Sequence, residues 1–133
     1  MIGRIDEEIG FMRSALSLHA RRQELLAGNI ANADTPNYKA VDIDFTKALR
    51  AAMGSAKPVG LATTTPGHLQ GKNGNPLGAP TLYRQAVQPS IDGNTVDMDV
   101  ERAQFVDNAI RYQFALDRVS GKFKEIDLAL RGQ

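Results

Sequence analysis

The sequence predicts a mainly α protein: long N- and C-terminal helices packing as a coiled-coil-like pair, with a short helix, a small β-hairpin and a flexible Gly/Pro-rich loop between them. Three observations carry that expectation. Apolar residues at both ends recur in alternating steps of four and three, the repeat of a helix that presents a seam to a partner helix. Five of the six prolines (Pro58, Pro66, Pro76, Pro80, Pro89) and seven of the twelve glycines fall between Gly54 and Gly93, a density that breaks helices and leaves little to bury. The 133 residues, 42% hydrophobic and 23% charged, suit one ordinary globular domain. Along the chain this gives a helix over 1–33, a connecting region over 34–98 and a second helix over 99–133.

In the first helix the seam runs through Ile5, Ile9, Met12, Leu16, His19, Gln23, Leu26 and Ile30. With Ile9 at position a of a heptad, Phe11, Leu18 and Leu25 all fall at c, well off that seam. A helix in a simple hairpin should be polar there. The helix ends in the string Asn29-Ile30-Ala31-Asn32-Ala33-Asp34-Thr35-Pro36-Asn37-Tyr38. Pro36 disfavours helical geometry at Thr35, Asn and Asp bond nearby backbone groups, and Asn37 can take the left-handed conformation of a turn after proline.

Asp44 is placed to N-cap a brief helix from Phe45 to about Met53. The stretch from Gly54 to about Ala79 lacks hydrophobic periodicity and is expected to be a partly mobile loop. Thr81 to Val87 suits a short strand, and Asp92-Gly93 between Ile91 and Val96 reads as a hairpin turn. Asp97, Asp99 and Glu101 cluster where the last helix begins, favourable to its positive dipole end. The seam of that helix runs through Phe105, Ala109, Tyr112, Leu116, Val119, Phe123, Ile126 and Leu130. Ile110, Phe114 and Leu128 lie off it. Each long helix thus carries a second apolar stripe, covered either by the middle of the chain folding back or by neighbouring subunits.

Several functions are disfavoured. The net charge is +1, with four basic and four acidic residues in 1–33 and six of each in 99–133, so no basic face for nucleic acid is expected. There is no Cys for a disulfide, thiolate metal site or thiol nucleophile. No run of about 18 apolar residues could span a bilayer, so no membrane insertion is expected. Asp6, Glu7 and Glu8 fall where a secretory signal needs an apolar core. His19 and His68 have no second His, and no carboxylate at i+3 or i+4, to make a metal pair; a polar seam residue such as His19 more often sets register. Asp92 to Ala103 fails as a calcium loop, with Val96, Asp97 and Ala103 at required positions, and Asp42 with Asp44 fails likewise. No catalytic residue, cofactor site or metal site is expected.

The string from Asn29 to Tyr38 resembles the motif shared by the axial proteins of the bacterial flagellum, the rod, hook and hook-associated proteins. Asp42-Ile43-Asp44-Phe45 and Asp92-Gly93-Asn94-Thr95-Val96-Asp97 narrow the likeness to FlgB-type proximal rod proteins of the basal body. Asn37 stands where that family commonly has Gly, and both tolerate left-handed geometry.

The resemblance implies a structural subunit, not an enzyme, that polymerises through its terminal helices and transmits torque from the motor to the hook. Its partners would be other rod proteins, the membrane-ring and export-gate junction proteins, the flagellar type III export apparatus, and further copies of itself. It would reside in the periplasmic rod, exported without a cleaved signal, with terminal segments that order on assembly. The assembly surface would comprise Ile9, Phe11, Met12, Leu16, Leu18, Leu25, Leu26 and Ile30 with Tyr112, Phe114, Leu116, Val119, Phe123, Ile126 and Leu130. A soluble helical-hairpin adaptor or export chaperone that binds one partner helix is the alternative.

Overall fold

The computed structural model describes residues 2–55, 80–86 and 90–132. Helix α1 spans Ile2–Ala31, strand β1 Val41–Ile43, helix α2 Phe45–Arg50, strand β2 Thr81–Tyr83 and helix α3 Met98–Arg131. A wider turn, Ala51–Ser55, extends α2 and is kinked at Gly54, whose φ is 83°. At 1.5 Å per residue α1 is roughly 45 Å long and α3 roughly 51 Å. They lie antiparallel within the chain: Lys122 meets Glu8 at one end (3.2 Å), and Asn29 meets Glu101 at the other (3.1 Å). Repeat pattern alone left open whether such pairing is made within or between subunits.

The short middle elements follow their local chemistry. Asp44 caps α2 by accepting from the Lys47 amide at 3.1 Å, as its position before Phe45 predicts. Asp97 caps α3 through the amides of Asp99 and Val100. One face of α1 is covered by the middle of its own chain: Leu18, fully buried, packs with Ile43 and Ala48, while Leu25, Phe45 and Leu49 border the cluster. Leu18 is therefore not free for a neighbouring subunit. For the Leu18–Leu25 part of the stripe, folding back is the arrangement adopted, because β1 and α2 return along α1 immediately after the Pro36 turn. Phe11, one heptad earlier, stays 41% exposed.

The small sheet is antiparallel, but not a local hairpin. β2 pairs with β1, Val41 opposite Tyr83 and Ile43 opposite Thr81. Asp92-Gly93 does form a tight turn, with Gly93 at φ 73°, yet among the described residues no strand follows it. The reason lies in the partners available: the residues after Gly93 bond to the α1 exit, so β2 finds its neighbour 40 residues upstream. The expected loop falls, apart from Gly54 and Ser55, outside the described residues, as does Val87 at the end of the expected strand.

The seam of α3 also differs from expectation. Phe105, Tyr112, Val119 and Ile126 are half-buried as anticipated. Ala109 is half-buried as expected, but the row that continues along α1 is Glu101, Asn108, Ala115 and Lys122, not Leu116, Phe123 and Leu130: Glu101 and Asn108 are buried and Ala115 and Lys122 half-buried, whereas Leu116, Phe123 and Leu130 are 37%, 55% and 82% exposed. Polar groups on α1 decide this. Asn29 is buried and His19 and Gln23 half-buried, so their polar groups need partners, and α3 supplies Glu101 and Asn108.

Candidate functional site: the motif junction and the exposed apolar rows

The two sequence motifs meet where α1 ends and α3 begins. Asn29 is fully buried, and its side chain serves β1 as a missing strand would: Oδ1 accepts from the Val41 amide at 3.0 Å and Nδ2 donates to the Val41 carbonyl at 2.8 Å. The same amide donates to Glu101 at 3.1 Å, and the Tyr38 hydroxyl donates to Oδ1 at 3.3 Å. Asn32 donates back to the Gly28 carbonyl and accepts from Thr35 Oγ1, closing the α1 exit. Asn94, from the second motif, directs its Nδ2 at the carbonyls of Asn32, Ala33 and Thr35 within 3.0 Å. An amide has two protons for three acceptors, so at least one bond is shared. Three carbonyls of the turn that follows α1 thus find a donor more than 50 residues downstream.

Main-chain bonds reinforce this docking: the Asn37 amide donates to Asp92 O at 2.9 Å, and the Thr95 amide to Tyr38 O at 3.0 Å. Thr95 Oγ1 accepts from the Ala40 amide at 2.8 Å. Asn37 takes the left-handed conformation (φ 60°) that its place after Pro36 predicts. Its carboxamide lies against Gly93, where an added Cβ would sit 2.6 Å from Asn37 Oδ1. Asp92 accepts from Ser90 Oγ and the Asn94 amide, and those bonds hold its carboxyl below the usual range. Ala31, Asp34, Thr35 and Pro36 are exposed; Val96 is half-buried and donates its amide to Asn94 Oδ1.

Beside the junction lies an ion cluster that local patterns did not reveal. Arg22 grips Asp42 through two nitrogens, Nε to Oδ1 at 2.9 Å and Nη2 to Oδ2 at 3.0 Å. Arg84, just past β2, donates to Asp42 at 2.6 Å and to Glu101 at 2.5 Å. Burial alone would raise the Asp42 pKa, but the bonds from Arg22, the Ile43 amide and Arg84 outweigh it and hold the carboxyl below its ordinary value. The same pairing raises the Arg22 pKa. Glu101, which looked like a helix-dipole partner, is only 1% exposed and is held by Arg84 and Asn29. The pairs are separated by 20, 42 and 17 positions, so no short spacing could point to them. The one local signal is Asp42 between Val41 and Ile43, facing opposite to Ile43's buried side of the strand.

Farther along the hairpin, His19 sits on the seam as a polar register residue. Its Nδ1 is 2.9 Å from Asn108 Oδ1, while Asn108 Nδ2 donates to His19 O and to Gln23 Oε1. An amide oxygen only accepts, so the imidazole proton is on Nδ1. Of the residues expected at an assembly surface, Leu18 and Leu26 are fully buried. Ile9, Met12, Leu16, Leu25, Ile30, Tyr112, Val119 and Ile126 are half-buried. Phe11, Phe114, Leu116, Phe123 and Leu130 are exposed, together with Val106, Ile110 and Leu128. Phe114 at 65% and Ile110 at 65% border a shallow groove toward His19 and Phe45.

Among the described residues no three His, Cys, Asp or Glu side chains converge to hold a metal, and no helix is long and apolar enough to cross a membrane. The arrangement is a joint: it fastens the end of one rod-like helix to the start of the other.

Comparison with known proteins agrees with the motif reading. Residues 10–39 match the family described as "Flagella basal body rod protein". The chain is 46% identical over 128 residues to the flagellar basal body rod protein FlgB of Escherichia coli, covering 93% of each sequence. It is 43% identical over 136 aligned positions to that of Salmonella typhimurium (99% of each) and 41% identical over 135 to that of Proteus mirabilis (98% of each).

Proposed function

The chain belongs to the family of FlgB flagellar basal body rod proteins, and we propose that it polymerises into the proximal rod through α1 and α3 and transmits torque from the motor to the hook. The family is one of structural rod proteins, not of enzymes. Its coarse place, a rod component associated with other rod components, follows from membership. The finer assignment is to a periplasmic rod reached through the flagellar type III export apparatus without a cleaved signal. Contacts to the membrane-ring and export-gate junction proteins below, and to other rod proteins above, belong with it.

One observation carries the polymerisation reading: α3 leaves Ile110, Phe114, Leu116, Phe123, Leu128 and Leu130 exposed along its length. These exposed side chains form two rows on different faces of the helix, and large apolar side chains left uncovered in rows mark interaction sites. A rod that carries torque needs many such contacts side by side, because single surface ion pairs contribute little. Phe114→Gln tests it. The variant should stay helical and soluble as a monomer, since Phe114 is 65% exposed, yet fail to support self-association in sedimentation and rod assembly in cells lacking the parent protein. Undiminished assembly would sink the proposal; unfolding of the monomer would assign Phe114 to an internal core.

A further inference from the structure

Helix α3 contains two competing seams, and the chain uses the less hydrophobic one. Both share Phe105, Tyr112, Val119 and Ile126. One completes the repeat with Ala109, Leu116, Phe123 and Leu130; the other with Glu101, Asn108, Ala115 and Lys122. They differ by a rotation of α3 of roughly 50°, half the 100° between successive helical residues. Burial of apolar area favours the first, since two leucines and a phenylalanine would leave water. The structure adopts the second: Asn108 and Glu101 are 0% and 1% exposed, and Phe123 and Leu130 face solvent.

What holds the unfavoured phase is polar and lies at the junction end. Asn108 exchanges bonds with both the imidazole and the carbonyl of His19 and with Gln23. Glu101 is held by Asn29 and Arg84. Turning α3 to bury Leu116 and Phe123 would pull both side chains from their partners and strand buried polar groups, a penalty that falls on every one left unpaired. A single buried asparagine at a helix seam is known to fix register and partner choice at a cost in stability.

We infer that Asn108, with Glu101, is a phase-determining residue: it keeps the Leu116–Phe123–Leu130 row turned outward, where a second copy of this chain can bury it. The outward role rests on the proposed polymerisation; the phase itself does not. Far from the junction only Lys122 with Glu8 joins the helices by a side-chain ion pair among the described residues, so the phase of the distal half is inherited from Asn108 and Glu101.

The absence of native cysteine makes single-cysteine reporters clean. In the full chain, Phe123→Cys should react with a maleimide near the rate of an exposed thiol, and Ala115→Cys slowly. Adding Asn108→Leu should reverse this, slowing the 123 reporter on the order of tenfold and speeding the 115 reporter, as the richer seam closes. His19→Leu/Asn108→Leu, which leaves no imidazole stranded if the single variant loses helicity, should do the same. Lys122→Leu adds a leucine to the seam in use and should leave both rates unchanged. Unchanged reporter rates in the helical Asn108→Leu variants, or a slowed 123 reporter in Lys122→Leu, would overturn the assignment. If the reporters reverse while self-association is undiminished, the phase assignment stands and the row is not the assembly surface.

Discussion

Replacing Arg84 by Ala gives the sharpest test of what closes the fold. Arg84 bridges Asp42 and Glu101, and after its loss Asp42 still has Arg22 while Glu101 retains only the Asn29 amide. Breaking one partner from a buried ion pair costs about 3–5 kcal/mol, because the remaining charge is uncompensated. With the Arg84 side chain 23% exposed, water can partly replace it, and the lower end, about 3 kcal/mol, is the expectation. For a chain of this size each kcal/mol moves Tm by a few degrees, so the midpoint should fall by roughly 10 °C. Thermal and urea unfolding followed by circular dichroism, on the parent, Arg84→Ala, Glu101→Gln and the double variant, would close a cycle. Glu101→Gln removes the stranded charge, so Arg84→Ala should cost less in that background, with a coupling of about 1–2 kcal/mol. A loss below about 1 kcal/mol for Arg84→Ala, or costs that simply add, would refute the view that this cluster fastens β2 and α3 together.

Two other outcomes follow from the junction. Gly93→Ala forces a side chain into positive φ and against the Asn37 carboxamide, and should cost about 1–3 kcal/mol in urea unfolding; Asn37→Gly should restore part of it, and no rescue would show the contact to be unimportant. Asp42 has a folded pKa below its ordinary 3.8, so the stability it contributes is complete above that value and lost as pH falls through the depressed folded one. The stability gap between the parent and Asp42→Asn should therefore be flat at neutral pH and shrink below pH 3.8; a gap that widened in acid would contradict the pairing with Arg22 and Arg84.

Legibility in the sequence tracked the range of each interaction. The long helices, the Asp44 cap and the left-handed Asn37 depend on neighbours within a turn, and their side chains declare them. The motifs stood out as strings, but not as two halves of one joint, because Asn94 finds its carbonyl partners about 60 positions away. Arg22 and Arg84 carry no local signal, and Glu101 reads as a partner of the helix dipole. The seam of α3 was misjudged beyond Ala109 because periodicity weighs apolar area and cannot see that buried Asn29 and half-buried His19 and Gln23 find polar partners opposite them.

By itself, then, the sequence determined two amphipathic helices, an unusually apolar outer surface for each, the capped turns between them and membership in a family of rod proteins. Tertiary structure decided that the helices pair antiparallel within one chain, that β2 pairs with β1, that Leu18 is internal, and that α3 turns its more apolar row outward. Hydrophobic periodicity is a local property of one helix, whereas the phase between two helices is set by the few buried polar groups that must find each other across the fold.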